Sequence, residues 1–255
     1  MRNVSIDLLD DTPRPVVAIG TDYSHGHVLP RHTHRRAQLL YGATGVMQVS
    51  THDGNWVVPP QRAVWIPAGV AHEVLMLGVS TCSLYIEPGA VHLGSRCQVI
   101  SVSPLMRHLL MEAVEIPLVY DEAGRDGALI DLLLHELARS AHLPLHIPLP
   151  VDARLLGLCQ GFLQRPDAHQ SPQQWADQLH ISLRTFNRLF RQQTGLSFSQ
   201  WRQRACVVLA LARLAAGTPV TRIALDFGYD SPAAFSTMFR RLLGQAPSVW
   251  MEGAT

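Results

Sequence analysis

The spacing of apolar residues changes character along the chain. From Val16 to about Val99, short apolar runs (VVAIG, AQLLYG, GVMQVS, WVVPP, AVWIP, HEVLML, SLYIE) are separated by Gly, Pro and Asp-Gly. Runs of this length, rich in β-branched and aromatic residues and bounded by turn formers, predict antiparallel strands closed into a sandwich or barrel. Beyond Ser103-Pro104 the period becomes helical: Ser suits a cap, Pro suits the first helical position, and LMRHLLMEAVEI follows with a leucine-rich face. After the polar turn DEAGRDG, a second helix, GALIDLLLHELARSA, sets Leu129, Leu132, Leu133 and Leu137 on one stripe. That stripe either packs on the barrel or forms the seam of a homodimer. HLPLHIPLP, with Pro144, Pro148 and Pro150, predicts a stiff linker. The expected architecture is α+β and multidomain: a barrel over 1–100, a helical connector and dimerisation region over 101–148, and an all-helical unit over 149–255.

The last unit repeats itself. An offset of 49 pairs Ser182 with Ser231, Phe186 with Phe235, Phe190 with Phe239, Arg191 with Arg240, Gly195 with Gly244 and Trp201 with Trp250. Upstream the copies differ by one residue, since Ala176 precedes Ser182 by six and Ala224 precedes Ser231 by seven; Gly228 is expected to be the extra turn residue. Each copy reads as helix, tight turn, helix. In the first, Ser171, Pro172 and Gln174 form a capping box, and Ser182 caps LRTFNRLFRQQT, which stops at Gly195. Burying Phe186, Leu189 and Phe190 leaves Arg184, Thr185, Asn187, Arg188 and Arg191 outward, a set suited to bases and phosphates. In the second, Phe235, Met238 and Phe239 turn inward, leaving Ala233, Ala234, Ser236, Thr237, Arg240 and Arg241 outside. Between the copies, SFSQWRQRACVVLALARLAAG predicts a long capped helix.

A single helix-turn-helix pattern is weak, and its tandem duplication is specific. Residues 151–252 resemble the DNA-binding domain of the AraC/XylS family, with its pattern present as Ile223-Ala224, Gly228-Tyr229, Ser231, Phe235, Phe239-Arg240, Gly244 and Pro247. The resemblance implies two recognition helices in successive major grooves. It assigns base contacts to Arg184, Asn187 and Arg188 in the first copy, and to Ala233, Ser236 and Thr237 in the second.

The barrel segment carries Gly26-x5-His32-x-His34-x3-Gln38-x6-Gly45 and Pro67-x-Gly69-x2-His72. His32, His34 and Gln38 share a strand face at period two, and His72 can approach from a neighbouring strand. Three imidazoles and an amide oxygen form a plausible donor set for Zn, Ni, Mn or Fe. The two segments resemble the first and second motifs of the cupin superfamily, implying a small double-stranded β-barrel. Departures are Gln38, where metal-binding members place Glu, Gln61 in place of a leading Gly and Met76 in place of a closing Asn. A neutral donor at 38 holds a divalent cation less tightly. Alternatively, the histidines line a pocket for an organic effector, with Tyr41, Trp65 and Tyr85 as further lining or as core.

Charge sharpens the division. Residues 1–150 hold 10 Arg against 14 Asp and Glu, a balance of −4; residues 151–255 hold 11 Arg against 6, a balance of +5. Cys82, Cys97, Cys159 and Cys206 form no C-x-x-C pair, the opening segment is acidic, and no apolar run approaches membrane-spanning length, so a cytoplasmic protein off the membrane is expected. Together these features predict a sequence-specific transcription regulator rather than an enzyme. Its partners are a duplex operator, a small-molecule or metal effector, and RNA polymerase should it activate. The rivals are a cupin dioxygenase or isomerase, opposed by Gln38, and a nonspecific nucleic-acid binder, opposed by the modest positive balance and by Asn187.

Overall fold

A computed structural model describes residues 11–252, and these cluster into two units. The first runs up to His52 and resumes over Val58–Leu143; the second joins Asp53–Val57 to the chain from Pro144 onward. Most of the acidic opening segment, residues 1–10, lies outside the described residues.

The first unit is a curled antiparallel sheet built on one long strand. Its strands are β1 (Val16–His32), β2 (Ala37–Gly42), β3 (Val46–Thr51), β5 (Arg62–Ile66), β6 (His72–Ile86), β7 (Gln98–Ser101) and β8 (His142–Leu143), with β4 (Gly54–Val58) lying between β3 and β5 in sequence. One edge of β6 pairs with β1 from Val16↔Ile86 to His32↔His72, and the other pairs first with β2 and then with β3. The runs HEVLML and SLYIE are therefore one strand, and β1 continues well past VVAIG. Gly26 (φ +82) and Gly78 (φ +68) mark irregularities within strands, where positive φ re-aims the backbone without ending the pairing. Gly45 (φ +61) makes the β2–β3 turn against β6, where a Cβ would lie 2.2 Å from the Gly78 carbonyl oxygen. Gln61, where the second motif lacks its glycine, still takes up φ +57, and its N–H donates to the Gly42 carbonyl at 2.7 Å.

Alternation on β2 and β6 divides the side chains between two environments. Leu39, Tyr41, Cys82, Leu84 and Ile86 join Trp65 and Ile100 in an apolar core completed by α1 (Pro104–Ala113) and α2 (Arg125–Ala138). Gln38, Ser83 and Tyr85 alternate with those positions and face the other way. The helices are thus part of the first unit's core. Met106, Leu110, Leu129, Leu133 and Leu137 are buried there, each contributing about 1.5–3 kcal/mol. Leu132 remains 43% exposed, so the stripe does not bury as a whole.

The second unit begins where the linker was expected. His146–Pro148 forms β9 and pairs with β4, while His142–Leu143 pairs with β7 as β8. The prolines leave carbonyls and intervening N–H groups free to bond: the Val57 N–H donates to the Leu145 carbonyl, and Trp201 Nε1 donates to the Pro148 carbonyl at 2.8 Å. The helices are α3 (Ala153–Gln164), α4 (Pro172–Gln178), α5 (Leu183–Thr194), α6 (Phe198–Ala215), α7 (Val220–Asp226), α8 (Pro232–Leu243) and α9 (Pro247–Glu252). Trp175, Phe186, Phe190, Phe198 and Trp201 pack edge to face around the first copy, and Phe235, Phe239 and Trp250 around the second.

The two turns close alike, which corrects the assignment of the extra residue. Ile181 N–H donates to the Ala176 carbonyl at 3.0 Å, and Tyr229 N–H donates to the Ala224 carbonyl at 2.9 Å. His180 (φ +56) and Gly228 (φ +70) are the equivalent left-handed residues before those donors. The inserted residue follows Gly228, in the Tyr229-Asp230 step. Gly228 is required for another reason: a Cβ there would lie 2.7 Å from Asp167 Oδ1. All four cysteines are free and buried, and no helix among the described residues is long and apolar enough to cross a membrane.

Gly45→Ala should destabilise the first unit by about 3 kcal/mol or more, because left-handed strain adds to a backbone clash. Gly69→Ala, with φ +74 and open space around its Cβ, should lose only about 1 kcal/mol. Urea denaturation of both variants checks the contrast, and similar losses would contradict it.

Candidate functional site

The first candidate surface lies on α5 and α8, which are built by the same local rules. Ser182 accepts a hydrogen bond from Thr185 N–H at 3.2 Å, Ser231 accepts one from Ala234 N–H at 3.1 Å, and each helix ends on a left-handed glycine, Gly195 or Gly244. On α5, Phe186 and Phe190 are buried while Arg184, Asn187, Arg188 and Arg191 are exposed, as expected. Thr185 is half-buried and belongs to the cap, its Oγ1 lying 2.9 Å from Ser182 Oγ. On α8, Phe235, Met238 and Phe239 are buried. Ala233, Thr237, Arg240 and Arg241 are exposed, and Ser236 is half-buried. Arg241 donates to Gln203 Oε1 on α6 at 2.8 Å, which ties it to the long helix. Leu183, the first residue of α5, is exposed beside Arg184 and adds an apolar side chain to this face that was not among the outward residues expected.

The second site is in the β half-barrel. The β1–β6 register sets His32 opposite His72, the link from β1 to β2 carries His34, and β2 presents Gln38 opposite Tyr85. One ligand atom from each histidine lies within 4.8 Å of the other two. Each ring is oriented through Nδ1, which faces a backbone carbonyl: Pro30 at 2.7 Å from His32, Arg36 at 2.9 Å from His34, and Val70 at 2.8 Å from His72. A carbonyl oxygen can only accept, so Nδ1 of His32 and of His72 carries a hydrogen and leaves Nε2 to present a lone pair, while His34 has an acceptor at each nitrogen. His72 is fully buried, and its Nε2 has no hydrogen-bond partner. Gln38 Nε2 donates to Ser83 Oγ and to Tyr85 Oη, both at 3.2 Å, which turns Oε1 toward His34 Nε2, also at 3.2 Å.

His34 faces two acceptors, the Arg36 carbonyl and Gln38 Oε1, and a neutral imidazole has one N–H to share between them. Three Nε2 atoms and an amide oxygen thus converge, with His72 lacking any donor. Backbone carbonyls that hold the far nitrogen are the usual means of aiming histidines at a metal. The residues therefore fit a divalent cation, and the set is imidazole-rich and uncharged. Burial pushes the His72 imidazole down to about 4, against the pull of the Val70 carbonyl, and the other groups acting on it, His32, His34 and Arg31, are all basic.

The structure separates the three aromatic residues expected in the pocket. Tyr85 is with the cluster, its ring edge-on to His34 at 5.2 Å. Tyr41 and Trp65 are on the opposite face, in the core shared with α1 and α2, because strand alternation gives position 38 to one face and positions 39 and 41 to the other or its neighbours in turn. Ser83 belongs to the site and was overlooked, although it alternates in step with Tyr85. A separate cavity of about 420 Å³ opens beside α2, lined by Val91, His92, Asp131, Leu134 and His135.

Comparison with known proteins bears on both units. Residues 14–138 match the family described as an AraC-like ligand binding domain, and residues 175–253 match a helix-turn-helix domain. The HTH-type transcriptional regulator NimR of Escherichia coli K12 is 34% identical over 227 residues, spanning 89% of this chain and 83% of the relative. The arabinose operon regulatory protein of Salmonella typhimurium is 28% identical, spanning 51% of this chain and 48% of its own. The crystal structure of ToxT from Vibrio cholerae aligns over 94% of this chain and 98% of that one, at 12% identity and a TM-score of 0.40.

The neutral His72 sets a pH dependence. The unfolded chain takes up this proton near 6.5 and the fold only near 4, so between them the unfolded state holds the extra proton. For metal-free protein, stability should be full above about pH 6.5 and be lost as pH falls toward 4, by up to about 1.4 kcal/mol per pH unit. Denaturation of wild type and His72→Gln over that range checks this, and parallel curves would contradict it.

Proposed function

The chain belongs to the AraC family of DNA-binding transcriptional regulators that carry a ligand-binding domain, and from that premise we propose that it reads a specific duplex operator through α5 and α8 under control of an effector held in the β half-barrel. The observation that carries this is the exposed face of α5. Arg184, Asn187 and Arg188 stand on a rigid, capped helix whose other face is locked by Phe186 and Phe190. Arginine forks onto guanine and asparagine onto adenine, each with two hydrogen bonds, so this face specifies sequence. On α8, Ala233, Ser236 and Thr237 offer a methyl group and hydroxyls for weaker discrimination. Arg191 and Arg240 serve phosphates, while Thr185 and Arg241, held by the cap and by Gln203, set the position of their helices.

The effector is a small molecule or a divalent cation at His32, His34, His72 and Gln38. Imidazole-rich donors suit Zn and Ni better than Mn, with Fe between. When bound, the cation supplies a positive centre for a further ligand. Either effector acts by its differential affinity for DNA-competent and incompetent arrangements, and no further. Exposed Leu105, Met111 and Leu132 on α1 and α2 support a homodimer. The regulator acts in the cytoplasm, with RNA polymerase as a partner if it activates. As in the regulators it resembles, the half-barrel serves as a ligand-binding unit and no catalytic role is assigned to the cluster.

Operator selection from random duplexes followed by titration tests this. Arg188→Ala should lose about 1–3 kcal/mol on the selected site and relax one base position, while Arg240→Ala should weaken selected and random DNA alike. Equal losses for Arg188→Ala on both would refute base reading by α5. Operator affinity unchanged by chelation and by every compound in an effector screen would refute control through the half-barrel.

A further inference from the structure

The charge on the histidine cluster points to the class of molecule it receives, an inference that rests on the cation reading above. The Nδ1 atoms of His32, His34 and His72 face the Pro30, Arg36 and Val70 carbonyls, so each ring can bind a cation through Nε2 as an uncharged donor, and Gln38 contributes an uncharged amide oxygen. None of the four donors carries a negative charge. The nearest acid along β6, Glu73, is exposed and alternates to the opposite side from His72, and Glu87 is bridged to Arg35 and Arg36. A divalent cation on these donors keeps its whole charge at a site where His72 is fully buried and His34 nearly so. Uncompensated charge in such a place is costly until an anion joins it. Four protein donors can complete a tetrahedral shell on Zn but leave a position open on an ion that takes five or six donors, as Ni, Co and Fe can, and His32 is only half-buried, so the cluster is not sealed from solvent.

We propose that the half-barrel is a cation-dependent receptor for a small anionic effector, one bearing a carboxylate or a comparable anionic donor atom, and that Gln38 is the residue that imposes this requirement. A carboxylate at position 38 would supply the negative charge from within the protein. The amide leaves that charge to be supplied by the ligand. Ser83 and Tyr85 make the assignment testable, because both hydroxyls now accept from the Gln38 amide and both can equally donate to a carboxylate. Gln38→Glu therefore keeps both hydroxyls as hydrogen-bond partners, with the direction of each bond reversed, and adds one negative charge.

The experiment uses the full chain titrated with Co²⁺, whose visible absorption reports coordination, and then with azide or acetate as anionic probes. Wild type should take up Co²⁺ and show a saturable change in its visible bands with either probe. Gln38→Glu should bind Co²⁺ about tenfold more tightly and the anions at least about tenfold more weakly, opposite shifts that a merely structural role would not produce. Wild type that binds Co²⁺ with bands indifferent to both anions overturns the proposal, as does Gln38→Glu binding azide as well as wild type. Folded wild type that takes up no Co²⁺ fails at the earlier step and overturns the cation reading itself.

Discussion

The alternation of side chains across β2 and β6 is the constraint on which the sensing unit depends. Along one stretch of paired backbone, Leu39, Tyr41, Cys82 and Leu84 enter an apolar core, and the residues between them, Gln38, Ser83 and Tyr85, meet in a polar site. A slip of one residue would send an amide and two hydroxyls into the leucines of α1 and α2, and Tyr41 and Cys82 toward the histidines. Burial of the apolar set therefore fixes the register with several kcal/mol behind it, and the same register brings Gln38 within reach of His34. Packing on one face positions the chemistry on the other.

What could be read before folding follows from how local each signal is. The helices of the second unit announce themselves through Ser caps, terminal glycines and a 49-residue repeat, because capping and amphipathic burial involve residues three or four apart. The histidine spacing was legible for the same reason on the β1–β2 side, and His72 entered through a second motif. Strand lengths were not. Gly26 and Gly78 bend strands that continue beyond them, and a glycine with positive φ signals a turn or a bulge equally well until its partner strand is known. The Pro-rich segment similarly concealed β8 and β9, whose partners lie far away in sequence. Gly228 was misassigned because the two left-handed turn residues, His180 and Gly228, are chemically unlike, and only the closing hydrogen bonds reveal their equivalence.

The face of Tyr41 follows from alternation alone, since it stands three residues beyond Gln38 on the same strand, whereas that of Tyr85 depends on the pairing that sets it opposite Gln38. Pairing is long-range information. The orienting carbonyls of Pro30, Arg36 and Val70 are equally invisible in sequence, since any residue supplies a carbonyl and only the fold decides where it points.

The two sites solve related electrostatic problems at different depths. On α5 and α8 the arginines are exposed, so the attraction for a polyanion proposed for them is shared among many weak contacts and screened by salt, and the proposed specificity rests on the fixed geometry of a few side chains. In the half-barrel the proposed charge sits on one ion among neutral donors, with His72 fully buried, where screening is weak and one unit of negative charge decides occupancy. Ionic strength therefore acts mainly on the first site and leaves the second largely alone. A regulator arranged this way can lose its grip on DNA as salt rises while still registering its ligand, because recognition at the two sites depends on the same sign of charge held in two different dielectrics.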